Sequence, residues 1–267
     1  MTGDIHVSPE MWTRIEGELD AVEREHGVRI LFAVESGSRG WRFPSRDSDY
    51  DVRFVYARPP RDYLTVWPGR DVIERPLDAT LDVNGWDLRK ALQLLLRSNA
   101  VLIEWLTSPV VYRAGGQAAA HLLQLARDGA DLTSFTYHYD RQTRRTAEEI
   151  AAAGDAVRLK TYCYALRTAL SVLWLRRRRE APPMDLPSLR AGLALGADVS
   201  TAIDELIARK IVATERDTTA RITALDALID EALAEKPERA EPVPRREITA
   251  RADALFASIV LGDEPCC

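Results

Sequence analysis

Apolar residues recur at helical spacing near the start of the chain, at Met11, Ile15, Leu19 and Val22. This stripe predicts an amphipathic helix over Ser8–His26. Ser8 is a favourable N-cap, Pro9 suits the first turn, and Gly27 is a common residue at a helix end.

Strand patterning replaces the helical pattern after Gly27. Val28–Val34 is almost continuously apolar and predicts a buried strand, and Tyr50–Tyr56 predicts a second one. Between them, Ser36–Ser48 is rich in Gly, Ser, Pro and Asp, which predicts a surface loop. Two shorter strands are expected over Val72–Leu77 and Thr80–Asn84.

From Asp87 onward the pattern is helical. The predicted helices are Leu88–Leu96, Val101–Leu106, Gln117–Arg127, Arg141–Ala153, Val157–Arg178, Thr201–Val212, Thr219–Ala234 and Ile248–Leu261. Glu235–Arg246, rich in Lys, Glu, Arg and Pro, is typical of a linker. We therefore expect an α+β protein with a small sheet domain over residues 1–112 and an all-helical domain over residues 113–267.

Composition narrows the class of protein. The chain has 267 residues and three cysteines, Cys163, Cys266 and Cys267, whose spacing fits neither a disulfide framework nor a zinc site. Its apolar stretches are too short to span a bilayer, and Met1–Asp4 lacks the pattern of a signal peptide. These features predict a protein of a reducing compartment, the cytoplasm, without membrane association.

The net charge of −5 hides a local asymmetry. Thr133–Arg179 holds ten Lys/Arg against four Asp/Glu, a surplus of +6. Such a segment can attract a polyanion, for example a nucleotide or an RNA backbone, although a solvated helix face has the same composition.

Two aspartates stand two residues apart at the start of the second strand. Because side chains alternate along a strand, Asp49, Asp51 and Arg53 share its polar face. Two neighbouring carboxylates repel each other unless they share a cation. Oxygen ligands of this kind suit Mg²⁺ or Mn²⁺, which take one or two protein carboxylates together with substrate phosphates.

A later strand offers a third carboxylate. In Thr80–Asn84, Asp82 lies on the face opposite the apolar residues, and it completes a cluster if this strand pairs with Tyr50–Tyr56. Three such carboxylates can hold two metal ions. Asp78 and Asp87 are alternatives for this third position.

A glycine-serine pair follows the first strand. Gly37 lets the backbone approach a phosphate closely, and the hydroxyl of Ser38 can donate a hydrogen bond to it. Arg39 or Arg53 could supply positive charge for a triphosphate.

The chain is similar to a known superfamily at these positions. Gly37-Ser38, ten intervening residues, Asp49-Tyr50-Asp51 and the later Asp82 resemble the signature of DNA polymerase β-type nucleotidyltransferases. The strings GSRGW-FPS-DSDYDVRF, DVNGWDLRKAL and SN--L-EWL-SP-VY resemble more closely the predicted nucleotidyltransferases of the RlaP/YcgL group, which are associated with RNA repair operons.

This resemblance implies a fold, a reaction and a set of residues. The fold is a polymerase-β-like sheet lobe followed by helices, and the reaction moves a nucleoside monophosphate from a nucleoside triphosphate to a hydroxyl, releasing pyrophosphate. Asp49 and Asp51 would bind both metals, Asp82 would orient or deprotonate the acceptor, and Ser38 would bind phosphate. On the helical part, Lys160 and Arg167, seven residues apart on one helix face, are expected to contact the nucleotide.

The resemblance leaves the acceptor open. ATP is the expected donor by analogy and an RNA 3′ end the expected acceptor, with a protein hydroxyl or a small molecule as alternatives. A non-catalytic nucleotide or RNA binder is a further alternative, although such a protein has no need of three carboxylates. The segment Ser36–Gly40 does not fit the hydrolase nucleophile elbow, and the chain has no P-loop motif.

Overall fold

The computed structural model describes residues 7–75, 78, 80–237 and 245–262. In chain order the elements are α1 (Pro9–His26), β1 (Arg29–Glu35), α2 (Gly37–Gly40), β2 (Tyr50–Ala57), β3 (Val72–Glu74), β4 (Leu81–Asp87), α3 (Leu88–Leu96), α4 (Ala100–Leu106), β5 (Val111–Arg113), α5 (Gly116–Asp128), α6 (Leu132–Ala152), β6 (Val157–Arg158), α7 (Leu159–Arg178), α8 (Leu186–Gly192), α9 (Ala197–Val212), β7 (Thr218–Thr219), α10 (Thr223–Leu233) and α11 (Arg245–Leu261). A 3₁₀ helix, Pro60–Leu64, follows β2.

The described residues form two compact units. The sheet unit contains residues 7–40, 49–130 and 245–262, and the helical unit contains Trp41–Ser48 and residues 131–237. The sheet has five strands in the order β3-β4-β2-β1-β5; β2 and β4 are parallel, and the other neighbours are antiparallel. This mixed sheet with many helices confirms the predicted α+β class.

Helix α1 forms where its end signals predicted it. The Ser8 hydroxyl oxygen accepts a hydrogen bond from the Met11 N–H at 3.2 Å, and Gly27 ends the helix in the left-handed conformation with φ 60°. Leu19 and the other apolar residues of its stripe belong to the same hydrophobic core as the apolar face of β2, which includes Val52 and Phe54. The predicted core face of the second strand is thereby confirmed.

The helical unit is organised around α7. Most of this helix is buried, and it packs against α6, α8, α9 and α10. Trp41–Ser48 joins this unit through backbone hydrogen bonds: the Leu186 N–H donates to the Trp41 carbonyl at 3.1 Å, and the Arg46 N–H donates to the Ala213 carbonyl at 3.1 Å. None of the helices in the described ranges is long and apolar enough to cross a membrane.

The division into units differs from the predicted boundary at residue 112. Helix α11 packs against α3 and α5, and Arg251 on α11 forms an ion pair with Asp128 at 2.6 Å. Both α5 and α11 therefore belong to the sheet unit, whereas Trp41–Ser48, predicted within the first domain, belongs to the helical unit. These groupings depend on contacts between residues distant in sequence, which hydrophobic periodicity does not encode.

Some elements differ from the pattern-based expectations. Helix α6 begins at Leu132, nine residues before the predicted start, because Asp131 caps it by accepting from the Thr133 N–H at 3.0 Å. The sequence pattern does not indicate strands β5, β6 and β7 or helix α8, and a short helix, α2, replaces part of the predicted loop. The predicted helices that begin at Val157 and Thr219 therefore start later, at Leu159 and Thr223. The end of the predicted strand Val72–Leu77, most of the predicted linker Glu235–Arg246, and Cys266 with Cys267 lie outside the described residues.

Candidate active site

The parallel pairing of β2 and β4 places two aspartates side by side. Asp51 on β2 is the register partner of Asp82 on β4. The residues next to them in the two strands, Val52 and Val83 among them, belong to the core, so that both carboxylates lie on the opposite face and are partly exposed. Asp82 is predicted to join the cluster only if these two strands pair, and the structure pairs them.

One arginine joins these two carboxylates. Arg53 Nη2 donates to Asp51 Oδ1 at 2.8 Å and to Asp82 Oδ2 at 2.7 Å, and Arg53 Nη1 donates to the Asp82 carbonyl at 3.1 Å. Two acids on one face of a sheet repel unless they share a cation, and here Arg53 is that cation. Two carboxylates and one guanidinium leave these three side chains with a formal charge of −1.

Gly37 allows α2 to approach Asp51. Its φ is +57°, and a Cβ built on it would lie 1.9 Å from Asp51 Oδ2. Glycine is therefore required both for the left-handed backbone and for the space that the carboxylate occupies. Ser38, which follows, is 7% exposed, and the Ser36 N–H donates to the Asp51 carbonyl at 2.8 Å. Gly37 thus lies directly against one of the two aspartates, and Ser38 follows it in the chain.

A buried acid that pattern analysis did not assign lies behind this site. Glu35, at the end of β1, is fully buried, and its Oε1 accepts from the Asp51 N–H at 3.0 Å. Its Oε2 accepts from the Tyr112 hydroxyl at 2.5 Å. Burial raises the pKa of Glu35 to about 7, although the hydrogen bonds from Tyr112 and the Asp51 N–H act in the opposite direction. The available sequence signal was an acid between a buried strand and the glycine-serine pair.

Asp49 and Arg39 lie at the entrance of β2. Asp49 is exposed, and its backbone carbonyl accepts from Arg39 Nε at 3.2 Å. The Arg39 guanidinium lies over the Tyr50 ring, 3.9 Å from its centroid. Arg39 is therefore held beside the first aspartate of the motif, where a triphosphate is predicted to bind.

The two alternatives for the third carboxylate have structural partners. Asp78 Oδ1 accepts from the N–H groups of Thr80 and Leu81, and these bonds together with an ion pair to Arg14 lower the pKa of Asp78. Asp87 lies at the other end of β4, where it caps α3 by accepting from the Arg89 N–H at 2.8 Å. Asp82 is thus the aspartate that faces Asp51.

Lys160 and Arg167 belong to the helical unit. Lys160 forms an ion pair with Glu215 at 2.8 Å, and its ammonium lies 5.7 Å from the Tyr164 ring centroid. Arg167 is 3% exposed, with its guanidinium 4.1 Å from the Trp41 ring centroid. Their predicted contact with a nucleotide stays a prediction.

Asp51, Arg53 and Asp82 form what we call the sheet cluster, and its carboxylate oxygens are ligands that suit a hard divalent cation. Asp51 and Asp82 each direct a carboxylate oxygen at one cationic nitrogen, so both oxygens can converge on a single positive centre. Within the described ranges, however, no group of three Asp, Glu, His or Cys side chains is arranged to hold a metal ion. The structure brings together two of the three predicted carboxylates, and the metal site stays a prediction.

Comparison with known proteins extends over nearly the whole chain. Residues 11–258 match the sequence profile of a family described as the RNA repair pathway DNA polymerase beta family. The chain is 36% identical over 252 residues to the uncharacterized protein YcgL of Bacillus subtilis (strain 168), covering 94% of this chain and 96% of that protein. The matched region includes every residue of the candidate site.

A more distant likeness is to a solved structure, that of a nucleotidyltransferase-like protein from Exiguobacterium sibiricum 255-15. The TM-score is 0.30 at 12% sequence identity, with 92% of this chain and 78% of that chain covered. A likeness this remote supports no conclusion about the chemistry of the present site.

Proposed function

The chain belongs to the RNA repair pathway DNA polymerase beta family, and on that premise we propose that it transfers a nucleoside monophosphate from a nucleoside triphosphate to a hydroxyl of RNA. Membership makes it a nucleotidyltransferase-type enzyme. The observation that carries the proposal is the pairing of Asp51 with Asp82, directly beside the Gly37–Ser38 turn.

The proposed reaction is a substitution at the α-phosphorus. The acceptor hydroxyl oxygen forms a bond to that phosphorus, and the bond to the oxygen bridging the α- and β-phosphates breaks, which releases pyrophosphate. The hydroxyl proton passes to Asp82 Oδ1, the carboxylate oxygen that Arg53 does not contact. Asp82 is suited to this role because β4 holds it beside Asp51 rather than on a mobile loop.

The remaining residues bind and orient the triphosphate. Asp49 and Asp51 would hold Mg²⁺ or Mn²⁺, which when bound neutralises charge that develops on the phosphates. Ser38 would donate a hydrogen bond to a phosphate oxygen from the turn beside Asp51, and Arg39 would add positive charge. Arg53 would hold the carboxylates of Asp51 and Asp82 in position through its terminal nitrogens.

The proposal also names the nucleotide that supplies the monophosphate and the molecule that receives it. We take ATP as the donor, and an RNA 3′ end as the acceptor because the family acts in RNA repair and the Thr133–Arg179 segment carries a surplus of +6. The cytoplasmic location expected from the cysteine content stays a prediction.

The test is a labelling experiment. The full chain is incubated with Mg²⁺ and each α-³²P-labelled nucleoside triphosphate, with and without total RNA, and RNA and protein products are resolved separately. We expect label on RNA, strongest with ATP, and its loss in the Asp49→Asn/Asp51→Asn variant. Asp20→Asn, an exposed aspartate on α1, is the matched control and should retain activity.

Other results would change the proposal. Label on protein would replace the RNA acceptor with a polypeptide hydroxyl. An active Asp49→Asn/Asp51→Asn variant would overturn the assignment of both aspartates. If no label transfers to either polymer, pyrophosphate release on addition of metabolite mixtures distinguishes a small-molecule acceptor from a protein that only binds nucleotides.

A further inference from the structure

A cationic cavity lies entirely within the helical unit, separate from the residues to which the proposed reaction is assigned. Its volume is about 470 Å³, and it is bounded by the first turns of α6, the last turn of α7 and the chain that follows α10. Three of its lining residues, Arg176, Arg179 and Lys236, are cations, and one, Glu235, is an acid. The lining therefore has a surplus of two positive charges.

The three cations differ in how they are held. Arg176 donates to two backbone carbonyls, that of Glu235 at 2.5 Å and that of Glu231 at 3.4 Å, so it fixes the chain after α10 as one wall. Among residues 7–75, 78, 80–237 and 245–262, the side chains of Arg179 and Lys236 form no ion pair or hydrogen bond with protein groups. Both side chains are exposed.

The backbone conformation at Arg179 allows its side chain to be tested separately from the fold. Arg179 ends α7 in the left-handed conformation with φ 57°, a position where Gly27 ends α1 with φ 60°. A non-glycine residue in this conformation costs roughly 1 kcal/mol. Glycine at this position should therefore remove the side chain without destabilising the chain.

The rest of the cavity suits a nucleotide. Thr133 and Thr136 line the α6 wall, where the Thr136 hydroxyl donates to the Leu132 carbonyl at 2.8 Å, and Leu132, Leu175 and Pro237 supply apolar surface. Cations can bind phosphate oxygens, while apolar surface can contact a base or sugar.

We propose that this cavity binds the phosphate groups of a ribonucleotide, through Arg179 and Lys236. The ligand is either a strand of RNA or a free nucleoside triphosphate, since both present the same phosphate chemistry. The choice of these probes rests on the proposed function, but binding here requires neither Asp51 nor a chemical step.

The experiment measures binding by fluorescence anisotropy of a labelled ten-nucleotide single-stranded RNA. The full chain is used in EDTA without nucleoside triphosphate, so that no transfer can occur and a failure of the proposed reaction does not affect the result. We expect Arg179→Gly/Lys236→Ala to weaken RNA binding at least tenfold. The slope of log affinity against log salt should fall by about 1.4, because each lost phosphate contact contributes about 0.7 for a single strand.

Matched variants distinguish RNA binding at this cavity from a general effect of positive charge on the protein. Arg178→Ala removes one positive charge at the neighbouring position, where the side chain pairs with Glu180 at 3.6 Å and does not line the cavity. It should change affinity less than twofold, and Arg179→Lys should retain most of the binding. Arg179→Gly alone should unfold at the same or a higher urea concentration than the unmodified chain, because glycine relieves the left-handed conformation.

Competition identifies the ligand. If ATP displaces the RNA and its own affinity falls in the double variant, the cavity binds free nucleotide; if ATP does not compete, it binds the RNA strand. Equal losses in Arg178→Ala and the double variant, or no loss in either, would overturn the proposal.

Discussion

Two charged clusters, one in each unit, have opposite ratios of acid to base. In the sheet unit, two carboxylates, Asp51 and Asp82, share the single guanidinium of Arg53. In the helical unit, one carboxylate, Glu215, pairs with two ammonium groups, Lys160 at 2.8 Å and Lys210 at 2.9 Å. The sheet cluster therefore has a surplus of negative charge, which an added cation would neutralise. In the cluster around Glu215, which we call the helical cluster, the carboxylate is instead surrounded by hydrogen-bond donors.

The surroundings of the clusters reinforce the contrast. Lys210 is fully buried, and Glu215 also accepts from the Ser45 hydroxyl at 2.8 Å, which links Trp41–Ser48 to the helices. Although burial acts to raise the pKa of Glu215, hydrogen bonds from Lys160, Lys210 and Ser45 lower it to about 2. These contacts indicate that the helical cluster stabilises the fold, whereas the proposed function assigns the sheet cluster to ligand binding.

The largest effect is expected at Asp82. Asp82→Asn should reduce nucleotidyl transfer about 10³-fold, because it removes the proposed acceptor of the hydroxyl proton, while the free energy of unfolding changes by less than about 1 kcal/mol. Initial rates of label transfer and urea unfolding measure the two quantities. Asp71→Asn, which removes the carboxylate that pairs with Lys90, is the control and should leave the rate unchanged. A large loss of stability in Asp82→Asn would contradict the distinction between the clusters.

Glu215 should behave in the opposite way. Glu215→Gln should lower the free energy of unfolding by about 3 kcal/mol, because the buried ammonium of Lys210 loses its charge partner. Urea unfolding at neutral pH measures this change. Glu149→Gln removes an exposed i,i+4 pair with Arg145 and should cost less than about 0.5 kcal/mol. If both variants cost the same, the helical cluster does not stabilise the fold.

Gly37→Ala tests how closely the turn fits the sheet cluster. A Cβ at this position would displace the Asp51 carboxylate, so transfer should fall about 10²-fold, the effect of moving a reacting group by about 1 Å. Gly27→Ala is the matched control, since Gly27 also has a positive φ but a Cβ there would meet nothing within 4 Å. Both variants should lose about 1 kcal/mol of stability, and only Gly37→Ala should lose activity.

The pH dependence of the free energy of unfolding should show the contribution of Glu215. Because its pKa is about 2 in the folded protein against 4.5 ordinarily, its contribution is present above pH 4.5 and is lost as the pH falls towards 2. We expect this loss to be about 2 kcal/mol after allowing for partial exposure. Urea unfolding at several pH values should show it in the unmodified chain and not in Glu215→Gln. The same slope in both proteins would assign the acid sensitivity to other carboxyl groups.

The smallest effect is expected at Tyr112. Tyr112→Phe removes the hydroxyl that donates to buried Glu35, and should lower the free energy of unfolding by about 1 kcal/mol. Transfer should change less than threefold, because the bond from the Asp51 N–H to Glu35 remains. Tyr137→Phe, whose hydroxyl is exposed in the helical unit, is the control for urea unfolding and should have almost no effect. A tenfold fall in transfer for Tyr112→Phe would instead place Tyr112 in the reaction.

Local signals in the sequence were sufficient for much of the sheet unit. The cap at Ser8, the glycine at Gly27 and the alternation along β4 and the first half of β2 act over a few residues, and the structure has each of them. Asp49, however, lies just before β2, and the alternation ends at Val55, which is buried. Alternation also placed Asp51, Arg53 and Asp82 on polar faces, so that only the adjacency of the two strands had to be supplied by the fold.

Long-range contacts were not predictable in the same way. The burial of Glu35 depends on Tyr112, which is distant in sequence, and no periodicity connects the two residues. Similarly, Arg167 is expected from its charge and position to contact a ligand, yet its side chain is buried against Trp41, which lies far upstream in the chain. Charge and spacing identify which residues can do chemistry, but packing determines which of them face solvent.

The position of α11 has a consequence for synthesis on the ribosome. This helix packs on α3 and α5, yet it is translated after the entire helical unit between residues 131 and 237. The nascent sheet unit therefore exposes the surface that α11 covers, including the ring of Tyr63 that later contacts Phe256, while the helical unit is being made. Fragments ending before α11 should accordingly bind chaperones and aggregate more readily than the full chain.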